Sequence, residues 1–306
     1  MTATDRIVTS PVAEPAALVN DADPIAPPSR RGVRAFLDSS LSLRLGLGLL
    51  GVYALVAIVS LVWTPHDPEA PAVGLPYSSP SSEHWFGTDR LGSDVFSKTM
   101  AAARLDLGIT IAAVTVALMF GAALGTIAGY YRGVADGVIM RFLEVFQAFP
   151  SLLFAMLIVQ AIGPGTINVV AVLAFVGLPY YLRLARAEIL SKRNWQFAEA
   201  ARMVGCRSWR VAFRHLLPNS MGPLLAYTSV NAAWVVLITA SLGFLGIGIE
   251  PGVPEWGTMI ARGQDSIVSG EWWISFFPGL AVLGLAGAFY LLGDGLADAT
   301  DPRRRQ

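Results

Sequence analysis

Long apolar stretches alternate with polar segments along most of this chain. Six stretches are predominantly apolar and approach or exceed the length of about 20 residues that a helix needs to cross roughly 30 Å of hydrocarbon. They occupy residues 45–63, 107–130, 138–162, 164–182, 221–249 and 272–293. Five of them contain no Asp, Glu, Lys or Arg, and the third contains Arg141 and Glu144, which are spaced to pair across one helical turn. The pattern predicts an all-α integral membrane protein with six transmembrane helices.

The composition agrees with this prediction. Of the 306 residues, 54% are hydrophobic and 14% are charged, and the mean hydropathy is +0.55. A soluble domain of this length could not bury so much apolar surface, so we expect a lipid bilayer to cover it. The single cysteine, Cys206, excludes a disulfide within the chain and a cysteine-based zinc site.

Basic residues mark one side of the predicted bundle. With six crossings, eighteen of the twenty-two lie in the N-terminal tail, near Arg132, in residues 183–214 or at the C-terminus. The remaining four, Arg90, Lys98, Arg104 and Arg262, fall on the opposite face. Cytoplasmic segments carry the excess of Lys and Arg, so both termini are predicted to be cytoplasmic. Residues 1–40, rich in Pro, Ala, Asp and Ser, are predicted to form a disordered cytoplasmic tail, and residues 299–306 form a second tail.

Small and polar residues inside the spans suggest packing. Gly121, Gly125 and Gly129 recur every four residues and place one small face where another helix can approach closely. Three polar side chains could line a water-filled path or form hydrogen bonds between helices, and we hold them as weak candidates for the path: Gln160, Asn168 and Asn231.

The segment 194–219 is too polar to span and too regularly patterned to be disordered. We expect a first short helix over residues 195–204, with Asn194 as its N-cap and Gly205 in the left-handed region at its end. Ser208 would cap a second helix, which Pro218 would terminate. Its four arginines would equally suit an amphipathic element lying on the anionic inner leaflet.

The order Glu199-Ala200-Ala201, Gly205, Leu217-Pro218 resembles the EAA loop of permease subunits of bacterial ABC importers. In that family the loop docks into a cleft on each ATPase as the coupling helix. His215, two residues before Leu217, departs from the general aliphatic pattern and resembles the variant in peptide-importer permeases. The resemblance assigns the coupling role to Glu199, Ala200, Ala201, Arg202, Met203, Gly205, His215, Leu217 and Pro218.

Two further segments narrow the resemblance to the C-type permeases of dipeptide and oligopeptide importers. They are residues 84–97, with the sequence His84-Trp-Phe-Gly-Thr-Asp-Arg-Leu-Gly-Ser-Asp-Val-Phe-Ser97, and residues 254–257, Pro-Glu-Trp-Gly. The carboxylates near His84 fit turn capping better than any metal-ligand spacing, so no metal site is expected. The resemblance covers residues 40–298 and implies a type I ABC importer permease fold. Residues 41–103 would form the first helix and an outer loop, and residues 104–298 a five-helix permease domain.

The resemblance also implies the partners. A second homologous permease would complete the path, two ATPase subunits or domains would bind ATP and Mg²⁺, and an extracytoplasmic substrate-binding protein would deliver the solute. This chain would carry no cofactor, contact no nucleic acid and be no enzyme. Di- or oligopeptides are the expected substrates, although relatives of the family also carry nickel or glutathione.

Other functional classes have less support in the sequence. A nucleotide-binding Walker A loop needs Gly before its Lys, whereas Lys98 and Lys192 each follow Ser. The sequence shows no hydrolase motif and no carboxylate pair within a span, which argues against a membrane-embedded enzyme. An ion-coupled secondary transporter, which usually has ionisable groups at mid-membrane, is the remaining alternative.

Overall fold

The computed structural model describes the backbone of residues 40–300 and the side chains of residues 40–298. Within this range the regular structure is helical, apart from an isolated β-bridge between Thr88 and Asp94. Of the predicted tails, 1–40 and 299–306, residues 1–39 and 301–306 lie outside the described residues, whereas residues 299 and 300 belong to the last helix rather than to a tail. The helices are α1 (Leu41–Val59), α2 (Val95–Tyr131), α3 (Gly133–Gln147), α4 (Ser151–Ile162), α5 (Thr166–Lys192), α6 (Gln196–Met203), α7 (Ser208–Arg210), α8 (Leu217–Asn219), α9 (Met221–Phe244), α10 (Trp256–Gly263) and α11 (Trp273–Thr300). A π-helical turn, Val211–Leu216, joins α7 to α8, and a 3₁₀ turn, Gln264–Ser266, follows α10.

Five helices, α1, α2, α5, α9 and α11, are long and apolar enough to cross a membrane. The third predicted span, residues 138–162, is not one straight helix. It consists of α3 and α4, which meet at 88°. Pro150 lies at the break, where its ring disfavours helical geometry in the preceding residue and it has no N–H to donate. The described chain thus has five spans, or six if the bent pair counts as one crossing.

The long helices differ in extent from the hydropathy pattern. Helix α2 has 37 residues, about 55 Å, and begins twelve residues before the predicted span. Asp94 fixes this start because its Oδ2 accepts the backbone N–H of Ser97 at 2.7 Å. Helix α5 continues ten residues past the predicted end at 182, to Lys192. Helix α9 ends at Phe244, before the left-handed Gly246, five residues short of the prediction.

Helices α2 and α5 pack closely against each other over several turns. A methyl group added at Gly121 would lie 2.5 Å from Cβ of Tyr181, and one at Gly125 would lie 2.4 Å from the carbonyl oxygen of Leu182. At Gly129 it would lie 2.8 Å from the carbonyl oxygen of Arg186. All three glycines therefore pack against α5, and their lack of a side chain allows the two backbones to approach.

Helix α1 lies at the edge of the bundle against α11 and α2. Its backbone approaches α11 at Gly46 and Gly295, where an added Cβ would lie 2.5 Å from the backbone nitrogens of Leu292 and Leu43 respectively. The hydroxyl of Tyr53 donates to the carbonyl oxygen of Ala281 at 2.9 Å. Most of the remaining α1 surface is exposed leucine and valine, as expected for a helix in contact with lipid.

Two buried carboxyl groups meet at the Val95 end of the bundle. Glu255 begins α10, and its two oxygens accept the N–H groups of Gly257 and Thr258, each at 2.7 Å. Its side chain also contacts Asp106 of α2, which accepts the N–H of Trp256 at 3.2 Å. The sequence pattern contains no carboxylate pair within a span, and this pair forms only when the segment before α11 folds onto α2. Burial away from water raises the pKa of Glu255 to about 7.

This pKa predicts that stability depends on pH. Because the pKa of Glu255 is higher in the folded chain than in the unfolded chain, its contribution is complete below pH of about 4.5 and is lost as the pH rises through about 7. The loss is on the order of 3 kcal/mol. Thermal unfolding of the purified chain in detergent should therefore occur at lower temperature at pH of about 8 than at about 5.

The variant Glu255→Gln should flatten this pH dependence, because it cannot ionise. Glu250→Gln, at an exposed position before α10, is the matched control and should retain the slope. An unchanged slope in Glu255→Gln would show that another group causes the effect.

Candidate functional site

The segment between α5 and α9 is folded and packed against the bundle. Ala198 and Ala201 of α6 are buried in a small apolar cluster with Ile189, Val211 and Leu216. This cluster joins the end of α5, helix α6 and the π-helical turn. The segment therefore has a fixed position on the protein, and the opposite face of α6 is left exposed.

The ends of α6 agree in part with the sequence prediction. Gly205 has φ of +81° and its N–H donates to Arg202 O at 2.9 Å, while the N–H of Cys206 donates to Ala201 O at 3.0 Å. This is the expected left-handed helix end. The predicted N-cap is wrong: Trp195, with extended backbone, occupies the cap position, and Asn194 lies in a turn that the Trp195 N–H closes onto Lys192 O. Ser208 is likewise the first residue of α7, and Arg207 precedes it at the cap position.

The exposed face of α6 and its following turn is partly apolar. Glu199, Ala200, Arg202 and Gly205 are exposed, whereas Ala201 points into the cluster beneath them. Met203 and Val204 are 83% and 79% exposed, and Trp195 and Trp209 are also exposed nearby. An exposed apolar surface of this kind, rimmed by charges on a short helix, is typical of a docking surface for a groove on another protein.

His215, Leu217 and Pro218 lie behind this face, in the connection to α9. The backbone carbonyl of His215 accepts the side-chain amide of Asn219 at 2.7 Å. Leu217 donates its N–H to Ala212 O, five residues back, and packs near Tyr181 and Leu224. Pro218 has no N–H to continue the helical pattern. These three residues therefore connect the segment to the long helices and lie apart from the exposed face.

Several polar contacts fix the segment to the long helices. The ammonium group of Lys192 pairs with Glu188 at 2.6 Å and donates to Asn219 O at 2.9 Å, which ties the end of α5 to the end of α8. The guanidinium of Arg202 donates to the carbonyl of Arg193 and lies 6.0 Å from the centre of the Tyr130 ring, at the end of α2. Arg202 thus links α6 to the ends of α5 and α2, and Lys192 links the end of α5 to the turn before α9.

A bidentate ion pair extends this connection to the bent helix pair. Nε and a terminal nitrogen of Arg186, on α5, each donate to an oxygen of Asp136, on α3, at 2.6 Å. Two parallel charge-assisted hydrogen bonds fix both distance and orientation. Helix α3 should consequently follow movements of α5.

The three polar candidates for the path occupy different environments. Asn231 is buried on α9 and donates to the Tyr181 hydroxyl at 3.3 Å, which is a bond between helices. Asn168, in the first turn of α5, donates to the carbonyl of Gly163, which precedes that helix, at 3.1 Å. Gln160 is exposed on α4. The structure does not bring these residues together, and their role in a path stays a prediction.

A cavity of about 320 Å³ lies at the bend between α3 and α4. Half of its lining residues are aromatic, and the lining includes Tyr180 and Arg183 of α5; the other residues are Phe146, Gln147, Phe149, Ser151, Phe154, Phe175, Val176 and Pro179. Nothing in the sequence pattern groups these residues, because apolar runs look alike whether they face lipid or a cavity. The signal that the sequence offers is a pair of prolines, Pro150 at the break between α3 and α4 and Pro179 inside α5.

Comparison with known families decides between the alternatives left open by the sequence. The model of the family described as "binding-protein-dependent transport system inner membrane component" matches residues 121–306, which include the whole α5–α9 segment. The chain belongs to this family. It is an ABC importer permease, and as such a multi-pass protein of the bacterial inner membrane. The family predicted from the loop residues is therefore confirmed.

Individual relatives cover most of this permease. It is 36% identical over 278 residues to a dipeptide transport system permease of Alkalihalophilus pseudofirmus, covering 91% of each chain. A glutathione transport system permease of Pectobacterium atrosepticum is 38% identical over 280 residues, covering 90% of this chain and 91% of its own. A di/tripeptide transport system permease of Pseudomonas aeruginosa is 42% identical over 217 residues, covering 71% of each chain.

Proposed function

We propose that this permease forms half of the translocation path of an ATP-driven importer of short peptides, with both termini in the cytoplasm. Helix α6 docks into a cleft on a partner ATPase and couples the path to ATP hydrolysis. The observation that carries the proposal is the exposed face of α6, formed by Glu199, Ala200, Met203, Val204 and Gly205, on a helix fixed from behind by a buried cluster.

The contacts behind α6 support coupling over simple attachment to the membrane surface. A helix lying on a leaflet needs no rigid link to the spans, whereas a coupling helix must pass displacement to them. Arg202 links α6 to the ends of α5 and α2, and from α5 the contacts of Lys192 and Arg186 continue to α8 and α3. ATP and Mg²⁺ would bind only to the ATPases, and this chain would carry no nucleotide.

The bent pair α3–α4 supports the presence of a second permease. One side of the pair exposes large apolar side chains along both helices, among them Val134, Val138, Val145, Leu153 and Leu157. On α4 only Ala155 and Val159 are buried. A homologous permease covering this side would close the aromatic cavity at the bend, so that the path would run between the two subunits. A substrate-binding protein would deliver the solute to its extracytoplasmic end.

The substrate class rests on the relatives together with the cavity. Relatives are named for dipeptides, di/tripeptides and glutathione, which is itself a tripeptide. Arg183 could pair with a peptide carboxylate, and the Phe and Tyr rings could contact side chains of varied shape. We therefore place short peptides first; nickel is the alternative cargo.

The buried pair Asp106 and Glu255 is the feature that would best suit an ion-coupled secondary transporter, the class that the family membership argues against. Intramembrane carboxyl groups often serve proton relays. Here, however, Glu255 caps a helix with both oxygens, and Asp106 accepts the neighbouring N–H of Trp256. This arrangement holds α10 in place against α2.

Reconstitution tests the proposal directly. The permease should be co-purified with the ATPases, the second permease and the binding protein encoded alongside it, and labelled dipeptide uptake measured in proteoliposomes. We expect uptake to require ATP, Mg²⁺ and the binding protein, and to stop when the Walker A lysine of the ATPases is replaced. Uptake by this chain alone under a proton gradient, without the ATPases, would overturn the proposal.

A further inference from the structure

The segment between α1 and α2 brings together three side chains that can bind a metal ion. They are His66, His84 and Asp94, and one ligand atom from each lies within 4.8 Å of the others. Nδ1 of His84 is 2.9 Å from Oδ1 of Asp94, and Nδ1 of His66 is 3.8 Å from the same oxygen. The two imidazole rings lie 4.7 Å apart. His66 precedes His84 by eighteen residues, so no short-range spacing marks the site in the sequence.

The site is held in place by the surrounding structure. Asp94 is 1% exposed and His84 is 4% exposed. Oδ2 of Asp94 is fixed by the N–H and the hydroxyl of Ser97, each at 2.7 Å, which leaves Oδ1 to face the two rings. The backbone N–H of His66 donates to Oγ of the same serine at 3.1 Å. On the far side of the ring, a Cβ added at Gly74 would lie 2.5 Å from Nε2 of His84. The absence of a side chain at Gly74 therefore leaves space for the ring.

One ligand atom in the site lacks a hydrogen-bond partner. Nδ1 of His66 is buried and makes no hydrogen bond, although it faces Oδ1 of Asp94. An unsatisfied buried nitrogen is destabilising, because folding removes it from water without supplying a new hydrogen bond. A cation between the three ligand atoms would satisfy this nitrogen, and it would replace the hydrogen bond of 2.9 Å that joins Nδ1 of His84 to Oδ1 of Asp94.

We propose that His66, His84 and Asp94 bind a zinc-class divalent transition metal ion. Two imidazole nitrogens and one carboxylate oxygen suit Zn²⁺, whereas Ca²⁺ and Mg²⁺ prefer oxygen ligands throughout. Zinc binds such atoms at about 2.0–2.2 Å in a tetrahedron, so its ligand atoms lie roughly 3.3–3.5 Å apart. The two N···O distances of 2.9 and 3.8 Å bracket this value, and all three ligand atoms lie within 4.8 Å of one another, so side-chain shifts would bring them to the zinc geometry. Both rings would coordinate through Nδ1 and keep their proton on Nε2, with water at the fourth position.

The ion would join two parts of the chain that are otherwise linked by a long irregular segment. His66 follows the end of α1 by seven residues, and Asp94 caps the start of α2. Zinc would therefore fasten the chain leaving α1 to the first turn of α2. Because the ion binds the folded state, it should stabilise this region by mass action.

Zinc titration of the full-length, untagged chain tests the proposal. The chain, purified in detergent and stripped with a chelator, should bind one equivalent of Zn²⁺ by calorimetry and elemental analysis, and its unfolding temperature should rise. His66→Gln should weaken binding by at least tenfold and abolish the thermal shift, because it removes a ligand that makes no side-chain hydrogen bond. His215→Gln, which changes the remaining histidine of the chain, is the matched control and should behave like the unaltered chain.

Two results would overturn the assignment. One is a wild-type chain that binds no zinc, and the other is a His66→Gln chain that binds zinc as tightly as the control. Co²⁺ substitution provides an independent readout, since a tetrahedral Co²⁺ absorption band should appear in the wild type and in His215→Gln but not in His66→Gln. Neither measurement involves transport, so failure here leaves the proposed function untouched.

Discussion

Replacing Gly205 by aspartate should abolish ATP-driven uptake while the permease remains inserted in the membrane. Gly205 has φ of +81°, and an added Cβ would meet no atom within 4 Å. The substitution therefore creates no clash within this chain, but it adds a charge on the face that we propose to dock. The left-handed backbone costs a non-glycine residue about 1 kcal/mol, too little to unfold the bundle. In proteoliposomes of the complete complex, uptake should fall at least tenfold while ATP hydrolysis continues.

Two companion variants separate the causes. Gly205→Asn has nearly the shape of aspartate, tolerates the left-handed region and carries no charge, so it should retain more uptake than Gly205→Asp. Glu199→Lys reverses the charge on the exposed face in the first turn of α6 and should also uncouple hydrolysis from uptake. If Gly205→Asp and Glu199→Lys both transported at the normal rate, the coupling role of α6 would be wrong.

Substituting isoleucine for Gly125 should prevent the bundle from assembling. Its Cβ would lie 2.4 Å from the carbonyl oxygen of Leu182 and 2.7 Å from Cβ of Ala185, so α2 and α5 would have to separate. Overpacking typically costs 1–3 kcal/mol for a small addition, and a branched side chain against backbone should cost more. We expect little monodisperse protein after extraction, measured by size-exclusion chromatography, and a lower unfolding temperature for the milder Gly125→Ala.

The matched control lies on the same helix. Gly108 is exposed, and an added Cβ there would meet nothing within 4 Å. Gly108→Ile should therefore extract and unfold like the unaltered chain, which excludes a general effect of β-branching in α2. Equal yields of the two isoleucine variants would contradict the close packing of α2 on α5.

Hydropathy located the spanning helices because a membrane span must be apolar over most of its length. It could not find the first turns of α2, where Lys98, Arg104 and Asp106 lower the average although the helix is continuous. It also could not place the 88° bend at Pro150, since the apolar run continues through the break. Whether a proline bends a helix slightly or ends it depends on the neighbours that can satisfy the freed backbone groups.

The α5–α9 segment was more predictable than the rest of the functional surface. Its spacing predicted a helix ending at a left-handed Gly205, and this the structure has. The two predicted cap residues were each wrong by one position. Several neighbouring residues could occupy a cap position, and the residue with extended backbone is the one that does. The contacts of Glu255 with Asp106 and of His66 with Asp94 join positions far apart in sequence, so they arise only from tertiary packing.

Helix α2 is continuous and contains no proline, and each of its ends contacts a candidate functional group. Tyr130 lies beneath Arg202 of α6 at one end, and Asp94 holds the first turn and faces the two histidines at the other. Between them the glycine face fixes α2 against α5. A tilt imposed at Tyr130 would swing Asp94 the opposite way about that contact. The two ends of the helix bundle would then move together, without a hinge in α2 between them.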